Sequence, residues 1–376
     1  VVVEVLREVD AGDNPDLLSG WAGLAVLHGY ASRAGLAPED TGETNDHLDH
    51  ALELLGAESI NPWLGGVAGV AWAAAHLERQ KMVPAVRGRF AQIDRSLEEL
   101  LSDPAELAFE HLYGCSGLIV YALERYPAAA SVRLLRLIVA RLARSAVRDS
   151  SGHAWFTPPD QLHEDELKVT PGGCYNLGVA HGVPGVIGAL GALCLTLGAP
   201  QSAVRLLGPA VEWLLAHQLP AGSPGRYGRA WAPGLPPVPT RSGWCYGDPG
   251  IARALMLAGE GARRDDWKRE ALAIARAAIA RAPRDGRVED PFLCHGGSGL
   301  GQIFSRFYRA TGLVEFARAA KYWMTQSLER RRSGQGGTKP GLLDGSAGAA
   351  LALLAAIAPV PPDWDRCLLL SARRPR

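Results

Sequence analysis

The chain has 376 residues, 39 of them basic and 39 acidic, so no net field draws it to nucleic acid or to an anionic membrane, and a charged partner has to be met by a local patch. Hydrophobic residues make up 47% but aromatics only 7%; the excess is mostly Ala and Leu, which favours helices. No apolar run reaches the ~18 residues of a membrane span, Val1 to Leu6 is too short for a signal-peptide core, and six cysteines are too few for a disulfide scaffold, so a soluble, cytoplasmic protein with reduced thiols is expected.

In chain order, a cassette of Gly-x-x-Gly followed by an Ala- and Leu-rich stretch recurs seven times. The copies begin at Gly20 (GWAG), Gly66 (GVAG), Gly114 (GCSG), Gly182 (GVPG), Gly247 (GDPG), Gly296 (GGSG) and Gly345 (GSAG). A tight turn entering a helix explains the pattern. Glycine supplies unusual dihedrals and close backbone approach, and Pro184 and Pro249 fall near the first helical position, where a missing N–H costs nothing. The stretches that follow, such as Leu24 to Tyr30 and Ile251 to Gly259, are apolar nearly all round and predict buried inner helices. Those between, such as Val86 to Leu101 and Trp267 to Ala280, carry charge on one side and predict an outer layer. About seven such hairpins predict an all-α fold, inferred to close as an α/α toroid, in a single domain spanning residues 1–376.

The two longest intervals hold Pro-, Gly- and His-containing loops, Trp155 to Tyr175 and Leu219 to Ser242. Loops of about 20 residues inside a compact domain are usually functional or disordered. Each runs directly into a cassette with chemistry. The first two cassettes carry no candidate catalytic group and read as packing devices.

Three cassettes are preceded by titratable or metal-binding side chains: His181 before Gly182, Cys245 and Tyr246 before Gly247, and Cys294 and His295 before Gly296. Singly, each is weak, because free cysteine is often buried and a lone histidine usually satisfies a local hydrogen bond. Cys115, Cys174, Cys194 and Cys367 read as buried spacers on that ground. For Cys245, Cys294 and His295 the equivalent repeat placement reverses the reading: a closed ring would present them around one mouth. Two Cys and one His suit Zn²⁺, one per chain, and three protein ligands leave the fourth position open as catalytic sites do. Two thiolates cancel the metal charge, so a substrate thiolate in the open position stays electron-rich, which points to sulfur attack rather than water activation. Asp248 and Asp344 read as helix N-terminal caps. The acidic stretch Glu39 to Asp49 and the basic tail Arg373 to Arg376 read as solvated charge.

At these residues the sequence resembles the lanthionine synthetase cyclases, in particular the stand-alone cyclases of class I lanthipeptide pathways. The most specific matches are Ser-Gly-Trp-Cys-Tyr-Gly-Asp-Pro-Gly over 242–250 and Leu-Cys-His-Gly-Gly-Ser-Gly over 293–299, with Ala-His-Gly-Val-Pro-Gly over 180–185 and Leu-Asp-Gly-Ser-Ala-Gly over 343–348. The resemblance implies an α/α toroid around one zinc held by Cys245, Cys294 and His295. It implies Michael-type addition of peptide cysteine thiols to dehydroalanine or dehydrobutyrine, closing thioether rings, with a dehydrated precursor peptide as substrate and a dehydratase of the same pathway as partner. His181 matches the family's acid/base histidine. Tyr246 and Arg241 match residues lining the same site, although an ion pair that merely orders its loop explains Arg241 equally well. One departure stands out: Glu110 occupies the place where the family usually has Asp, four residues before Gly114, and on its longer arm it would pair with Arg241 or orient His181. Competing readings are addition of glutathione to dehydrated residues by the same site, and a catalytically silent zinc scaffold.

Overall fold

Each of the seven cassettes opens a helix in the computed structural model, which describes residues 1–8, 11–37, 42–55, 61–281, 285–335 and 339–374. These helices are Trp21–Arg33, Val67–Arg79, Cys115–Arg125, Val183–Leu197, Asp248–Ala262, Gly297–Thr311 and Ser346–Ile357. They are buried nearly all round, Val183–Leu197 without a break from Val183 to Cys194 and Asp248–Ala262 from Asp248 to Gly259, except that Gly297–Thr311 is so only as far as Phe304. The helices between them are amphipathic: Asp265–Ala280 buries Trp267, Ala271, Ile274, Ala275 and Ala278, a single stripe at helical spacing. The helix expected over Val86 to Leu101 begins only at Ala91, because Gly88 adopts φ +81° and breaks the register before it. The predicted charged stretches Glu39 to Asp49 and Arg373 to Arg376 lie partly outside the described residues. Among the described residues no helix is long and apolar enough to cross a membrane.

Of the two roles expected of the glycines, unusual dihedrals and close approach, the second dominates. The first glycine has ordinary extended dihedrals at Gly20, Gly182, Gly296 and Gly345, and only Gly247 needs a positive φ, +104°. Close approach is the general cause. A methyl on Gly182 would lie 2.1 Å from the Asn176 carbonyl oxygen, one on Gly299 1.9 Å from that of Leu293, and one on Gly348 1.7 Å from that of Leu342. Both glycines of a cassette thus let the loop before it fold down onto the first helical turn.

The chain divides into two compact units, one of Val1–Ser102, Glu124–Leu134 and Glu289–Cys367, the other of Asp103–Leu123, Leu135–Val288 and Leu368–Arg376. In the first, helix Trp21–Arg33 packs on Glu43–Leu55, Val67–Arg79 and Ser346–Ile357, and Gly297–Thr311 packs on Val314–Arg332 and Ser346–Ile357. Its fully buried Asp365 receives Arg306 in a two-pronged contact and Gln302 at 2.7 Å.

In the second unit, Val183–Leu197 crosses Asp248–Ala262 so closely that a methyl on Gly191 would meet the Ala258 nitrogen at 2.6 Å. The C-terminal segment is tied in by Trp244 Nε1, which donates to the Leu368 carbonyl at 2.7 Å, and Arg253 Nε, which donates to that of Leu370 at 2.6 Å. The two long loops are not structureless. A hairpin of strands Val147–Asp149 and Gly152–Ala154 leads into the first, a short helix runs Glu164–Leu167 within it, and the strand Tyr175–Asn176 pairs antiparallel with Ala230–Trp231, so the two loops are joined to each other.

Gly348→Ala should destabilise the protein by about 1–3 kcal/mol, since neither the Leu342 carbonyl nor the helix can retreat freely. Gly172→Ala, which meets nothing within 4 Å, should stay within about 0.5 kcal/mol. Urea unfolding of both variants checks the contrast.

Candidate active site

Counting back from the first glycine of each cassette aligns the chemistry. Two residues before it stand Leu18, Leu64, Leu112, Ala180, Cys245, Cys294 and Leu343, and all are buried. Their backbones bond from cassette to cassette: the Leu112 N–H donates to Ala180 O at 3.3 Å, Ala180 N–H to Cys245 O at 3.3 Å, Cys294 N–H to Leu343 O at 3.0 Å and Leu343 N–H to Leu18 O at 2.9 Å. One residue before the glycine stand Ser19, Gly65, Tyr113, His181, Tyr246, His295 and Asp344, mostly polar. The two cysteines therefore occupy a slot that elsewhere holds a leucine or alanine, and the histidines occupy the neighbouring slot that is left polar.

Cys245, Cys294 and His295 form a group whose candidate ligand atoms all lie within 4.8 Å of one another. This fits zinc. A tetrahedral ion with Zn–S bonds of about 2.3 Å and a Zn–N bond of about 2.0–2.1 Å sets its ligand atoms roughly 3.5–4 Å apart, inside that span. His295 Nε2 lies 3.1 Å from Asp290 Oδ2, while Asp290 Oδ1 accepts the Phe292 N–H at 2.7 Å. A carboxylate on one imidazole nitrogen fixes the ring and its tautomer, and makes Nδ1 the nitrogen that would meet a metal. Asp344 does not cap its helix; its Oδ1 stands 3.8 Å from that same Nδ1. Asp248 accepts the Arg226 and Tyr227 N–H groups at 2.9 and 3.1 Å, so it fastens the second long loop rather than capping its own helix.

Glu110 reaches His181 directly: its Oε2 lies 2.6 Å from Nδ1. The carboxylate is held by the Tyr113 N–H at 2.5 Å and the Leu112 N–H at 3.4 Å, so the turn of the third cassette aims it. Burial alone would lower the histidine pKa, but the hydrogen bond and charge of Glu110, reinforced by Glu166 and Cys245, outweigh it and raise it above 6.5. With Nδ1 on the carboxylate, Nε2 is the atom that can carry a proton to or from a substrate. Tyr113 lies nearly parallel to the imidazole, 6.2 Å between centroids.

Tyr246 is held on three sides. Its hydroxyl donates to Glu166 Oε1 at 3.1 Å and accepts from Asn176 Nδ2 at 2.9 Å, and the Arg229 guanidinium sits 5.1 Å from its ring centre. Burial pushes the phenol pKa up, and the Glu166 charge pushes it further. Burial would also raise Glu166, but Arg229 at 2.7 Å, the His163 amide and the Tyr246 hydroxyl together hold it below the usual carboxylate range. Arg241 is exposed and begins the pre-cassette loop with its carbonyl against Gly247; among the described residues its side chain shows no hydrogen bond or ion pair. Arg229, from the second long loop, is the arginine beside Tyr246.

Glu166, Arg229, Asn176 and Asp290 escaped the sequence reading. Asn176 and Asp290 had a signal: both stand six residues before a cassette glycine, and each side chain accepts the N–H two residues on. Glu166 and Arg229 had none beyond lying in the two long loops. Of the remaining thiols, burial pushes Cys115 and Cys194 up to about 12 and raises Cys174, and Cys367 donates to the Trp364 carbonyl, so these four have the character of inert buried thiols.

The family model for "Lanthionine synthetase C-like protein" matches residues 12–369. "Nisin biosynthesis protein NisC" of Lactococcus lactis subsp. lactis is 22% identical over 315 residues, 77% of this chain and 72% of that protein. Among solved structures, "Nisin cyclase" superposes with a TM-score of 0.83 at 19% identity, covering 98% of this chain and 94% of that one. The fold is accordingly the α/α toroid that the repeat predicted. By its matching motifs and the extent of the match, the chain belongs to the lanthionine synthetase C-like family.

Proposed function

We propose that this chain is a zinc-dependent lanthionine synthetase cyclase, adding peptide cysteine thiols to dehydroalanine or dehydrobutyrine and so closing thioether rings in a dehydrated precursor peptide. The family match, with the name of the relative and of the solved structure, supports thioether formation on a peptide. The observation that carries the finer reading is the Cys245, Cys294 and His295 group, whose two sulfurs make it a thiolate-rich set rather than a water-activating one. Bound there, zinc supplies the Lewis acidity that keeps a substrate cysteine as thiolate at neutral pH. Asp290 orients His295 for that task.

The remaining chemistry belongs to the protein. As the S–C bond forms at the β-carbon, the C=C electron pair moves towards the carbonyl oxygen, and the α-carbon then needs a proton. His181, its pKa raised by Glu110, is protonated over more of the neutral range than a free imidazole and delivers that proton from Nε2. On the return it accepts the proton lost by the next thiol. Arg241, exposed at the start of its loop, is assigned to positioning the substrate group held at the metal. The dehydrated residues have to be supplied by a dehydratase, and we place this chain after such an enzyme in one pathway.

Purified protein should carry one zinc per chain, and Cys294→Ala should lose it; stoichiometric metal in that variant, measured by plasma mass spectrometry, would remove the ligand assignment. His181→Asn should keep the zinc but slow ring closure about 10²-fold or more, read as the fraction of peptide still open to thiol alkylation. In Glu110→Gln, burial is no longer opposed by the carboxylate, so the His181 pKa should fall below its wild-type value in an NMR titration. The imidazolium is then lost at lower pH, and the alkaline limb of the cyclisation profile should move to lower pH with it.

A further inference from the structure

Three segments of the second unit meet at the Tyr246 hydroxyl. Glu166 comes from the first long loop, where its Oε2 also accepts the His163 N–H at 3.3 Å and so closes the turn around the short helix Glu164–Leu167. Arg229 comes from the second long loop, and its carbonyl accepts the Leu177 N–H at 2.9 Å. Asn176 lies in the strand that joins those loops, one register position from the Tyr175 and Trp231 pair. The phenol ring itself rests on Gly178, where a methyl would stand 2.7 Å from Cε1 and 2.6 Å from the Cys245 carbonyl oxygen.

A phenol has one proton to donate. Here it points to Glu166, and an acceptor lone pair is taken by Asn176. The hydroxyl is therefore engaged by the protein rather than offered to substrate, and Tyr246 is covalently next to Cys245. We propose that Glu166 and Arg229 are positioning residues that lock Tyr246, and through it the turn presenting the Cys245 sulfur. The two long loops thereby act as a brace on a metal ligand, beyond any contact they make with the peptide. Glu166 accepts the hydroxyl proton, and Arg229 holds Glu166 at 2.7 Å while covering the ring face. The consequence for the reaction rests on the cyclase reading above; the brace itself does not.

The test compares Glu166→Gln, Tyr246→Phe and the double variant, each confirmed folded by its thermal transition. The first readout is the sulfur-to-cobalt charge-transfer band of the cobalt-substituted protein, and the second is the turnover of a dehydrated peptide. Each single variant should shift the band, lower kcat about tenfold and leave KM within about twofold, in keeping with the cost of losing a ligand's supporting partner. The double variant should be no worse than either single one, because all three break the same lock. A wild-type band and kcat in Glu166→Gln, or losses that multiply in the double variant, would overturn the proposal. Should Glu166→Gln fail to fold, Arg229→Gln keeps the carboxylate but strips its partner, and the same readouts apply. If the wild type forms no ring while Glu166→Gln still shifts the band, the cyclase reading fails and the brace stands.

Discussion

The structure depends on a backbone carbonyl pressed against a glycine. In every cassette the loop that precedes the inner helix folds onto its first turn, and at positions such as Gly182, Gly299 and Gly348 a single methyl would collide with that loop's carbonyl. The contact is repeated along the chain, so the residues one and two places before the first glycine arrive in the same local geometry each time. Backbone hydrogen bonds then link the buried place of one cassette to that of the next, as from Leu112 to Ala180 and from Cys294 to Leu343. Beyond the positive φ of Gly247, a site made this way needs no special backbone. It needs only that a leucine be exchanged for cysteine, and a small polar residue for histidine, at addresses the packing has already defined.

That arrangement divides the work between the cassettes and the long loops. The cassettes deliver Cys245, Cys294, His295 and His181, while neighbouring carboxylates orient the two imidazoles: Asp290 beside His295 and Glu110 beside His181. The long loops contribute Glu166 and Arg229, which converge on Tyr246, the residue beside Cys245. The Cys and His side chains thus stand at the starts of regular helices, and the irregular segments pack against Tyr246.

Much of this was legible in the sequence because it is periodic. The seven Gly-x-x-Gly starts, the alternation of all-apolar and amphipathic stretches, and the recurrence of Cys and His just ahead of the glycine each follow from a rule that acts locally. Both expected roles of the glycines are present but in unequal shares: dihedral freedom is needed at Gly247, whereas close approach explains the others. The start of the helix at Ala91 was missed because Gly88 interrupts an otherwise helical charge pattern. Glu166 and Arg229 could not be paired from sequence, since their partnership depends on how two loops cross and the loops carry no repeat to align. Glu110 shows the intermediate case. Its place in the third cassette marked it, but only the distance to Nδ1 decided that its longer arm serves His181.

The chemical claim rests on sulfur. A donor set with two cysteines and one histidine favours holding a third thiolate that stays nucleophilic, and a histidine whose pKa is raised by a half-buried carboxylate suits the proton that the carbon needs afterwards. X-ray absorption at the zinc edge addresses this most directly. The account predicts a first shell with two sulfur atoms in the resting protein and three once a dehydrated, cysteine-containing peptide is added. A shell of nitrogen and oxygen alone, or a sulfur count that the peptide leaves unchanged, would contradict it.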